Sequence, residues 1–185
     1  MAEGQMTFDK LPVVWTGLSK EQIEKFDVLD ADQIELSIKG RIIDQFFYEF
    51  EQWDPNKHQK VLQVGISYAG IKWIASQMAA RGDPITCWDA SFTDTPETYR
   101  CVVKARRYAT GEDRMGAFEQ PRFYTDKEGK QKPNPFAFTL VLSKAQRNAI
   151  RQFIPEPVIQ EGYREWKLKQ KGSPPLTVNA PKSSV

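Results

Sequence analysis

The feature that most constrains the fold is a run of three β-rich segments between residues 84 and 124 that are joined by very short turns. The segments are PITCWDASF, TYRCVVKARRYA and DRMGAFEQPRFY, and the linking sequences TDTPE and TGED are rich in turn-forming residues. Connections of this length join antiparallel neighbours, whereas parallel strands need a long crossover. The sequence therefore predicts a three-stranded antiparallel meander.

Alternate residues of the middle segment differ in character. One set is small or apolar and consists of Tyr99, Cys101, Val103 and Ala105. The other set is mostly basic and consists of Arg100, Val102, Lys104 and Arg106. Because successive side chains of a strand point to opposite faces, we expect one face of the meander to cover a core and the other to carry positive charge.

The segments before the meander predict a strand, a helix and a long helix. KVLQVGIS alternates and is rich in branched residues, which indicates a strand, and YAGIKWIASQMAARGD has the apolar spacing of a helix that ends at Gly82. Earlier in the chain, apolar residues recur every three or four positions from Asp30 to about Trp53, and Pro55 follows. This pattern predicts a long amphipathic helix with Asp30 at its N-terminus.

The stretch LVLSKAQRNAIRQFIPEP begins like a strand end and then predicts a helix from about Ser143 to Ile154. Lys144, Arg147 and Arg151 are spaced i, i+3 and i+7, so they share one stripe of that helix. No acidic residue lies between Glu128 and Glu156, so the helix contains no ion-pair partner of its own. The stripe suits phosphate binding, and the alternative is a solvated face paired with carboxylates from elsewhere.

Charge is distributed unevenly along the chain. The formal net charge is only +2, but acidic residues concentrate between residues 19 and 54 and basic residues between 100 and 171. A chain of this kind can bind a polyanion on one side and stay soluble. The 185 residues, 40% of them hydrophobic, suffice for one domain with a core.

These patterns give an α+β fold: a long N-terminal helix, a strand and helix, and a three-stranded antiparallel meander packed with C-terminal helices, the last of them VIQEGYREWKLKQK. We expect residues 1–29 to form an N-terminal arm, 30–171 the core domain and 172–185 a disordered tail. No run of 18 apolar residues and no signal peptide occur, which predicts a soluble intracellular protein.

Enzyme motifs are missing from the sequence. Cys87 and Cys101 are the only cysteines and His58 is the only histidine, and their spacing matches no zinc site or nucleophile-base pair. No phosphate-binding glycine loop is present either. We therefore expect neither catalytic residues nor a cofactor nor a metal, and we predict that the protein is not an enzyme.

The string VGISYAGIKWIASQMA, the meander and the string LSKAQRNAIRQFIPE together resemble the core of the Rad-fifty-two-like single-strand annealing proteins, whose wider relatives include the phage RecT and Erf recombinases. In that family a strand leads into a helix with a Gly near its start. An antiparallel meander follows, and a helix with an Ala and two spaced basic residues closes the core. The resemblance covers about residues 60 to 155, more than half of the chain.

The resemblance implies a protein that forms a ring or helical oligomer, binds single-stranded DNA in a basic groove and anneals complementary strands in homologous recombination and repair. By position, Arg147 and Arg151 match the basic pair of the closing helix, and Lys72 stands near a basic residue after the Gly. To these the charge pattern adds four predicted DNA-binding residues: Arg100, Lys104, Arg106 and Lys144. The implied setting is the cytoplasm or nucleoid of a prokaryotic or phage-infected cell; a single-strand-binding or RecA-type partner stays open.

Two other functions compete with annealing. Asp83, Asp89 and Lys104 near the sheet could belong to a metal-dependent nuclease, although their spacing does not specify Mg²⁺. The same sheet could also serve an RNA-binding or purely structural assembly module. The annealing interpretation depends on the late basic residues forming one continuous channel that is not neutralised by carboxylates.

Overall fold

The computed structural model describes residues 13–14, 20–39, 45–126 and 128–171, which form helices packed on antiparallel sheets. In chain order the elements are β1 (Val13–Val14), α1 (Lys20–Ile38), β2 (Phe47–Asp54), β3 (Gln59–Ile66), α2 (Tyr68–Ala80), β4 (Ile85–Asp94), β5 (Thr98–Arg107), β6 (Glu112–Pro121), β7 (Phe123–Thr125), β8 (Gln131–Pro133), α3 (Ala137–Arg151) and α4 (Glu156–Lys171). The sheets have the strand orders β1-β3-β2, β4-β5-β6 and β7-β8. The predicted α+β class is confirmed.

The β4-β5-β6 sheet is the predicted meander. β5 pairs antiparallel with β4 on one side and with β6 on the other. The predicted division of its faces is also confirmed, since Cys101, Val103 and Ala105 are buried while Arg100 is exposed. The meander thus has one apolar face to cover and one charged face.

Helix α3 covers the apolar face of the meander at very short range. Val141, Ala145 and Ala149 belong to the same apolar core as the buried residues of β5. A methyl group placed on Gly116 of β6 would lie 2.2 Å from the backbone nitrogen of Ala149 and 2.4 Å from the backbone oxygen of Ala145. The helix and the strand therefore meet backbone to backbone, which only small residues allow.

A second apolar core lies between the β2-β3 hairpin, α2 and α4. Its buried members include Phe47, Leu62, Ile71, Ile74, Ile154, Ile159 and Trp166. The predicted strand β3 and helices α2 and α4 are confirmed. The hydroxyl of Ser67 caps α2 by accepting a hydrogen bond from the backbone N–H of Gly70, and Gly82 follows the helix with φ +85°.

The prediction of one helix from Asp30 to about Trp53 is wrong in its bounds. α1 runs from Lys20 to Ile38, across the expected boundary at residue 29, and the later apolar residues belong to β2. Asp54 starts the hairpin turn, because its side chain accepts hydrogen bonds from the backbone N–H groups of Asn56 and Lys57. An Asp-Pro-Asn turn between two aromatic or branched segments is a hairpin signal. The helical spacing of the aromatic residues in β2 was coincidental.

The predicted bounds of α3 are also wrong. The helix begins at Ala137, so Leu140 and Val141 lie in its first two turns, and Ser143 is buried within it instead of capping it. The chain enters the helix through Asn134, whose side-chain oxygen accepts a hydrogen bond from the backbone N–H of Phe136. Branched residues such as Val141 favour strands in isolation, but here burial against the meander outweighs that preference.

Some predictions fall on residues outside the described ranges. These are most of the arm, Ile42 within the expected long helix, and the tail 172–185. Within the described ranges, no helix combines the length and the apolar character that a membrane crossing requires.

Replacing Gly116 with Ala is expected to destabilise the fold by about 1–3 kcal/mol or more, because the added methyl group would push β6 away from the backbone of α3. Urea unfolding followed by tryptophan fluorescence measures the change. The neighbouring Ala117 is exposed, so Ala117→Val adds volume to the other face of β6 and should leave stability within about 0.5 kcal/mol. Equal effects of both substitutions would contradict the close packing.

Candidate nucleic-acid interface

The basic residues of α3 border a cleft on the side of the helix that faces away from the meander. The cleft has a volume of about 260 Å³ and lies between α1, the β2-β3 hairpin, the N-terminal end of α2, α3 and the start of α4. Arg147 and Arg151 line it from α3, and Asp27 and Asp30 line it from α1. The predicted spacing of the basic stripe is therefore realised, and two of its three members face one cavity.

Arg147 is held by two carboxylates of α1. Its Nη1 donates to Oδ2 of Asp30 at 2.6 Å, and its Nη2 lies 3.4 Å from Oδ1 of Asp27. Asp30 is 1% exposed, and its other oxygen accepts a hydrogen bond of 2.7 Å from the backbone N–H of Tyr68, the first residue of α2. One buried carboxylate thus bridges the guanidinium group and a helix N-terminus.

Arg151 lies at the open end of the cleft. Its Nη1 donates to the backbone oxygen of Ile154 at 2.8 Å, and its Nη2 donates to Oε2 of Glu156 at 2.7 Å. The Arg151 side chain is 38% exposed, and solvent screens the interaction with Glu156 accordingly. Arg151 can therefore exchange this partner for an anion at little cost.

Of the two alternatives for the basic stripe, pairing with carboxylates from outside the helix is the one that the structure shows. Asp27 and Asp30 lie more than 110 residues before Arg147, and Glu156 lies just beyond the helix. Asp27 and Asp30 reach the helix only through the tertiary fold, whereas Glu156 follows it closely in sequence.

Lys144 was expected to be exposed, but it is buried. Its ammonium group lies 4.6 Å from the ring centre of Phe118 and 3.8 Å from a carboxylate oxygen of Asp27. Burial lowers the pKa of Lys144 below its ordinary value, against the opposing attraction of Asp27. Lys144 thus lies in the interior beside α1 and does not present its charge to a ligand.

Lys72 is exposed on α2 and follows Ile71, which lines the cleft. Its Nζ stands 4.7 Å from the ring centre of Tyr68, whose hydroxyl donates to Oε1 of Gln146 on α3 at 2.7 Å. Burial, with smaller contributions from Cys87 and Asp30, raises the pKa of Tyr68 to about 12, so the hydroxyl remains a donor. Among the described residues, no carboxylate forms an ion pair with Lys72.

The three predicted DNA-binding residues of β5 lie on the other side of the sheet. Strand alternation directs Arg100, Lys104 and Arg106 away from α3. Each forms an ion pair with a carboxylate on a neighbouring strand: Arg100 with Glu119 at 2.6 Å, Lys104 with Asp89 at 2.9 Å and Arg106 with Asp113 at 2.7 Å. The structure therefore separates the seven predicted residues into two groups, and within the described ranges every one of them except Lys72 has a carboxylate partner. The expectation of one continuous basic channel that is not neutralised by carboxylates is wrong.

Trp88 is an exposed aromatic residue that the sequence did not single out. A register shift between Cys87 and Asp89 leaves it outside the regular pairing of β4 with β5, and it is 51% exposed. Lys104 and Arg106 lie 5.2 and 5.5 Å from its ring centre. A β-bulge cannot be recognised from alternation alone, because it is the interruption of that pattern.

The acids of the nuclease interpretation are paired with basic residues. Asp83 forms an ion pair of 2.6 Å with Arg107, and Asp89 pairs with Lys104. Residues 13–14, 20–39, 45–126 and 128–171 contain no group of three or more His, Cys, Asp or Glu side chains arranged to hold a metal ion. Burial raises the pKa of both cysteine thiols, which therefore stay protonated near neutral pH.

Comparison with known proteins assigns no family to this geometry. No protein-family model, curated protein or solved structure matches the chain.

The buried charges of Lys144 and Arg147 should have opposite effects on stability. The charge of Lys144 lowers the stability of the fold, whereas buried Asp30 needs the charge of Arg147 as its partner. Lys144→Met is expected to leave the free energy of unfolding at pH 7 unchanged or to raise it by about 1 kcal/mol, because an apolar group replaces a desolvated one. Arg147→Met should lower it by about 3–5 kcal/mol, because Asp30 stays buried without its cation.

Urea unfolding at several pH values checks both expectations. Since the pKa of Lys144 is lower in the folded chain than in the unfolded chain, the wild type gains stability as the pH rises through the folded value towards 10. The advantage of Lys144→Met should shrink over the same range. A loss of stability in Lys144→Met as large as that in Arg147→Met would contradict this account.

Proposed function

We propose that this chain binds single-stranded DNA and anneals complementary strands as an oligomer, in homologous recombination and DNA repair. The observation that carries the proposal is the convergence of Arg147, Arg151 and the N-terminus of α2 on one cleft, with exposed Lys72 next in sequence to Ile71 of its lining. These are phosphate-binding groups in an arrangement that already holds a carboxylate.

The chemistry of the cleft suits a nucleic-acid backbone. Guanidinium groups donate two hydrogen bonds to a phosphate and stay charged at every physiological pH. A helix N-terminus adds unpaired N–H groups and a favourable dipole. Arg147 and Arg151 are about one helical turn apart, so together they can contact neighbouring phosphates of one strand.

The order of the elements supports the resemblance to the Rad-fifty-two-like annealing proteins. β3 leads into α2, the meander follows, and α3 closes the core. Gly70 near the start of α2 is required by packing, since a methyl group there would lie 2.2 Å from the backbone oxygen of Phe46. α3 carries Ala149 and the two spaced basic residues Arg147 and Arg151, which is the pattern of the closing helix on which the resemblance rests.

Strand annealing follows from phosphate binding without bond chemistry. Two complementary strands repel each other through their phosphates, and cationic groups along a groove reduce that repulsion. Contacts to the backbone leave the base edges available for pairing. Repetition of the cleft around an oligomer would join a few contacts per subunit into a long binding site.

Exposed strand edges offer a route to assembly. Among the described strands, β2 pairs only with β3 and so lies at an edge of its sheet, and Trp53 on this strand is 57% exposed. Edge strands can pair with a strand of another copy. We expect light scattering and particle images of the purified protein to show oligomers.

Lys72→Ala is the first test of the cleft, since Lys72 is exposed and its loss leaves no buried charge. The affinity for an oligo-dT strand should fall about threefold to tenfold, and the slope of log K against log salt should fall by about 0.7, the value for one lost contact to a single strand. Fluorescence anisotropy at several salt concentrations measures both.

Lys57→Ala is the matched control for Lys72→Ala. Lys57 lies in the β2-β3 turn, at the end of the hairpin away from the cleft, and its ion pair with Asp54 is long at 3.9 Å. At about 3.4 Å per residue, the hairpin separates the two sites by about 24 Å. An equal loss of affinity in both variants would reduce the proposal to non-specific attraction by net charge.

An annealing assay separates the proposed function from its rivals. Wild-type protein with EDTA present should accelerate the pairing of two complementary labelled strands and leave non-complementary strands single. Cleavage that depends on a divalent ion would point to the nuclease. A strong preference for an RNA strand would indicate RNA binding, and oligomers without affinity for nucleic acid would leave only a structural role.

A further inference from the structure

The carboxylate of Asp30 occupies a site with the chemistry of an anion-binding pocket. Its two oxygens accept hydrogen bonds from the backbone N–H of Tyr68 at 2.7 Å and from the guanidinium group of Arg147 at 2.6 Å. α2 is 13 residues long, so its N-terminus carries the partial positive charge of a full helix. A phosphate group, like this carboxylate, is an anion that accepts hydrogen bonds from backbone N–H and guanidinium groups.

The hydroxyl of Tyr48 is a hydrogen-bond donor of the cleft that has no acceptor in the described part of the chain. Tyr48 lines the same cleft, is 3% exposed, and its hydroxyl has no hydrogen-bond partner among the described residues. Burial and the negative charge of Asp30 raise the pKa of Tyr48 above its ordinary value, so the group remains an O–H donor. A buried hydroxyl without an acceptor is unfavourable.

A phosphate would place acceptors in the cleft where Asp30 places none. The oxygens of Asp30 accept hydrogen bonds from Tyr68 and from Arg147, and neither accepts one from the hydroxyl of Tyr48. The oxygens of a nucleic-acid phosphate point to the corners of a tetrahedron, and its two charged oxygens are strong acceptors. A phosphate held by the same donors would extend acceptors in directions that the planar carboxylate does not, so that Tyr48 could donate to it.

The helix that carries Asp30 lies outside the two apolar cores of the described residues. Its buried apolar side chains are Phe26 and Ile34, which are 9% and 5% exposed. The ring of Phe26 packs over Gly65 and contacts Phe50 and Tyr48 at 4.8 and 5.8 Å between ring centres, and Nε2 of Gln33 donates to the backbone oxygen of Gln45 at 3.2 Å. Displacement of α1 breaks these contacts but none within either core, and an element attached in this way opens at a lower free energy than the cores do.

We propose that Arg147, the backbone N–H of Tyr68 and the hydroxyl of Tyr48 form a phosphate site for the DNA strand, and that Asp30 of α1 fills this site as an internal substitute until the strand displaces the helix. Asp27, whose Oδ1 lies 3.4 Å from the same guanidinium group, adds a second negative charge of α1 that competes with the phosphate. This inference rests on the proposed function and specifies which groups hold the strand and what competes with it.

The inference explains why the main basic residue of the cleft is paired inside the protein. A strand binds only molecules in which α1 has moved, so the apparent dissociation constant is the intrinsic one divided by the open fraction. Strands that offer many phosphates to an oligomer overcome this competition, whereas isolated phosphate ions do not. α1 thus prevents small anions from binding in the cleft, whereas a long strand can displace it.

Asp30→Asn tests whether the Asp30 carboxylate competes with the strand, and it changes the shape of the side chain little. The amide oxygen can still accept from Tyr68, but the negative charge that holds Arg147 is gone. The affinity for oligo-dT is expected to rise about tenfold, because the open fraction increases. The matched control is Glu35→Gln, which removes one charge from the same helix at a residue whose contact with Lys39 is 3.9 Å long. We expect less than about a threefold change there.

Phe26→Ala tests the same release without any change of charge. Removing the ring of Phe26, one of the two buried apolar side chains of α1, should loosen the helix and tighten oligo-dT binding by a factor similar to that of Asp30→Asn. Thermal unfolding followed by circular dichroism shows whether each variant is folded before binding is measured. Tighter binding in Asp30→Asn together with unchanged or weaker binding in a folded Phe26→Ala would contradict displacement of the helix.

Hydrogen exchange on the wild-type protein gives a readout that does not depend on variants. Addition of oligo-dT should speed exchange in residues 23–38 of α1 and slow it at the N-terminus of α2. Slower exchange in α1 would overturn the inference, because the helix would then stay docked on the bound strand. The proposed function itself would be refuted if neither the wild type nor any variant retained oligo-dT at about 50 mM salt. At that concentration the Debye length is about 14 Å, so charge interactions are only weakly screened.

Discussion

The contact of α3 with the meander determines where every other part of the candidate site can lie. Gly116 brings β6 against the backbone of α3 at Ala145 and Ala149, so the helix has no freedom to rotate on the sheet. The face of α3 opposite this contact carries Arg147 and Arg151. Close packing of small residues therefore aims the guanidinium groups into the cleft.

The position of α1 follows from those guanidinium groups. Arg147 points into a partly buried space, where an unpaired cation would be unfavourable, and Asp30 supplies the compensating charge. The same carboxylate satisfies the first N–H group of α2. One acidic residue thus completes the cleft in the closed protein, and for the same reason it stands where a phosphate of the proposed ligand would bind. In the proposed function, this one side chain couples the stability of the fold to the access of the ligand.

Much of the fold could be predicted, because local patterns agree with the tertiary structure there. The alternation around Cys101 specified β5 and its buried face, and the spacing around Ile71 specified α2. β2 was predicted as helix because aromatic residues happened to recur at helical intervals, although the Asp54 turn signalled a hairpin. The start of α3 was predicted too late because Leu140 and Val141 resemble a strand when their burial is unknown.

The amino-acid sequence by itself determined which residues are basic, their helical spacing on α3 and the division of β5 into an apolar and a charged face, since these depend on residue type and on the period of a helix or strand. Only the tertiary structure decided which charges are available to a ligand. It buried Lys144, paired the basic residues of β5 across strands and placed Asp30 on Arg147. Ion pairs between residues more than one hundred positions apart depend on packing in three dimensions, and no local pattern contains that information.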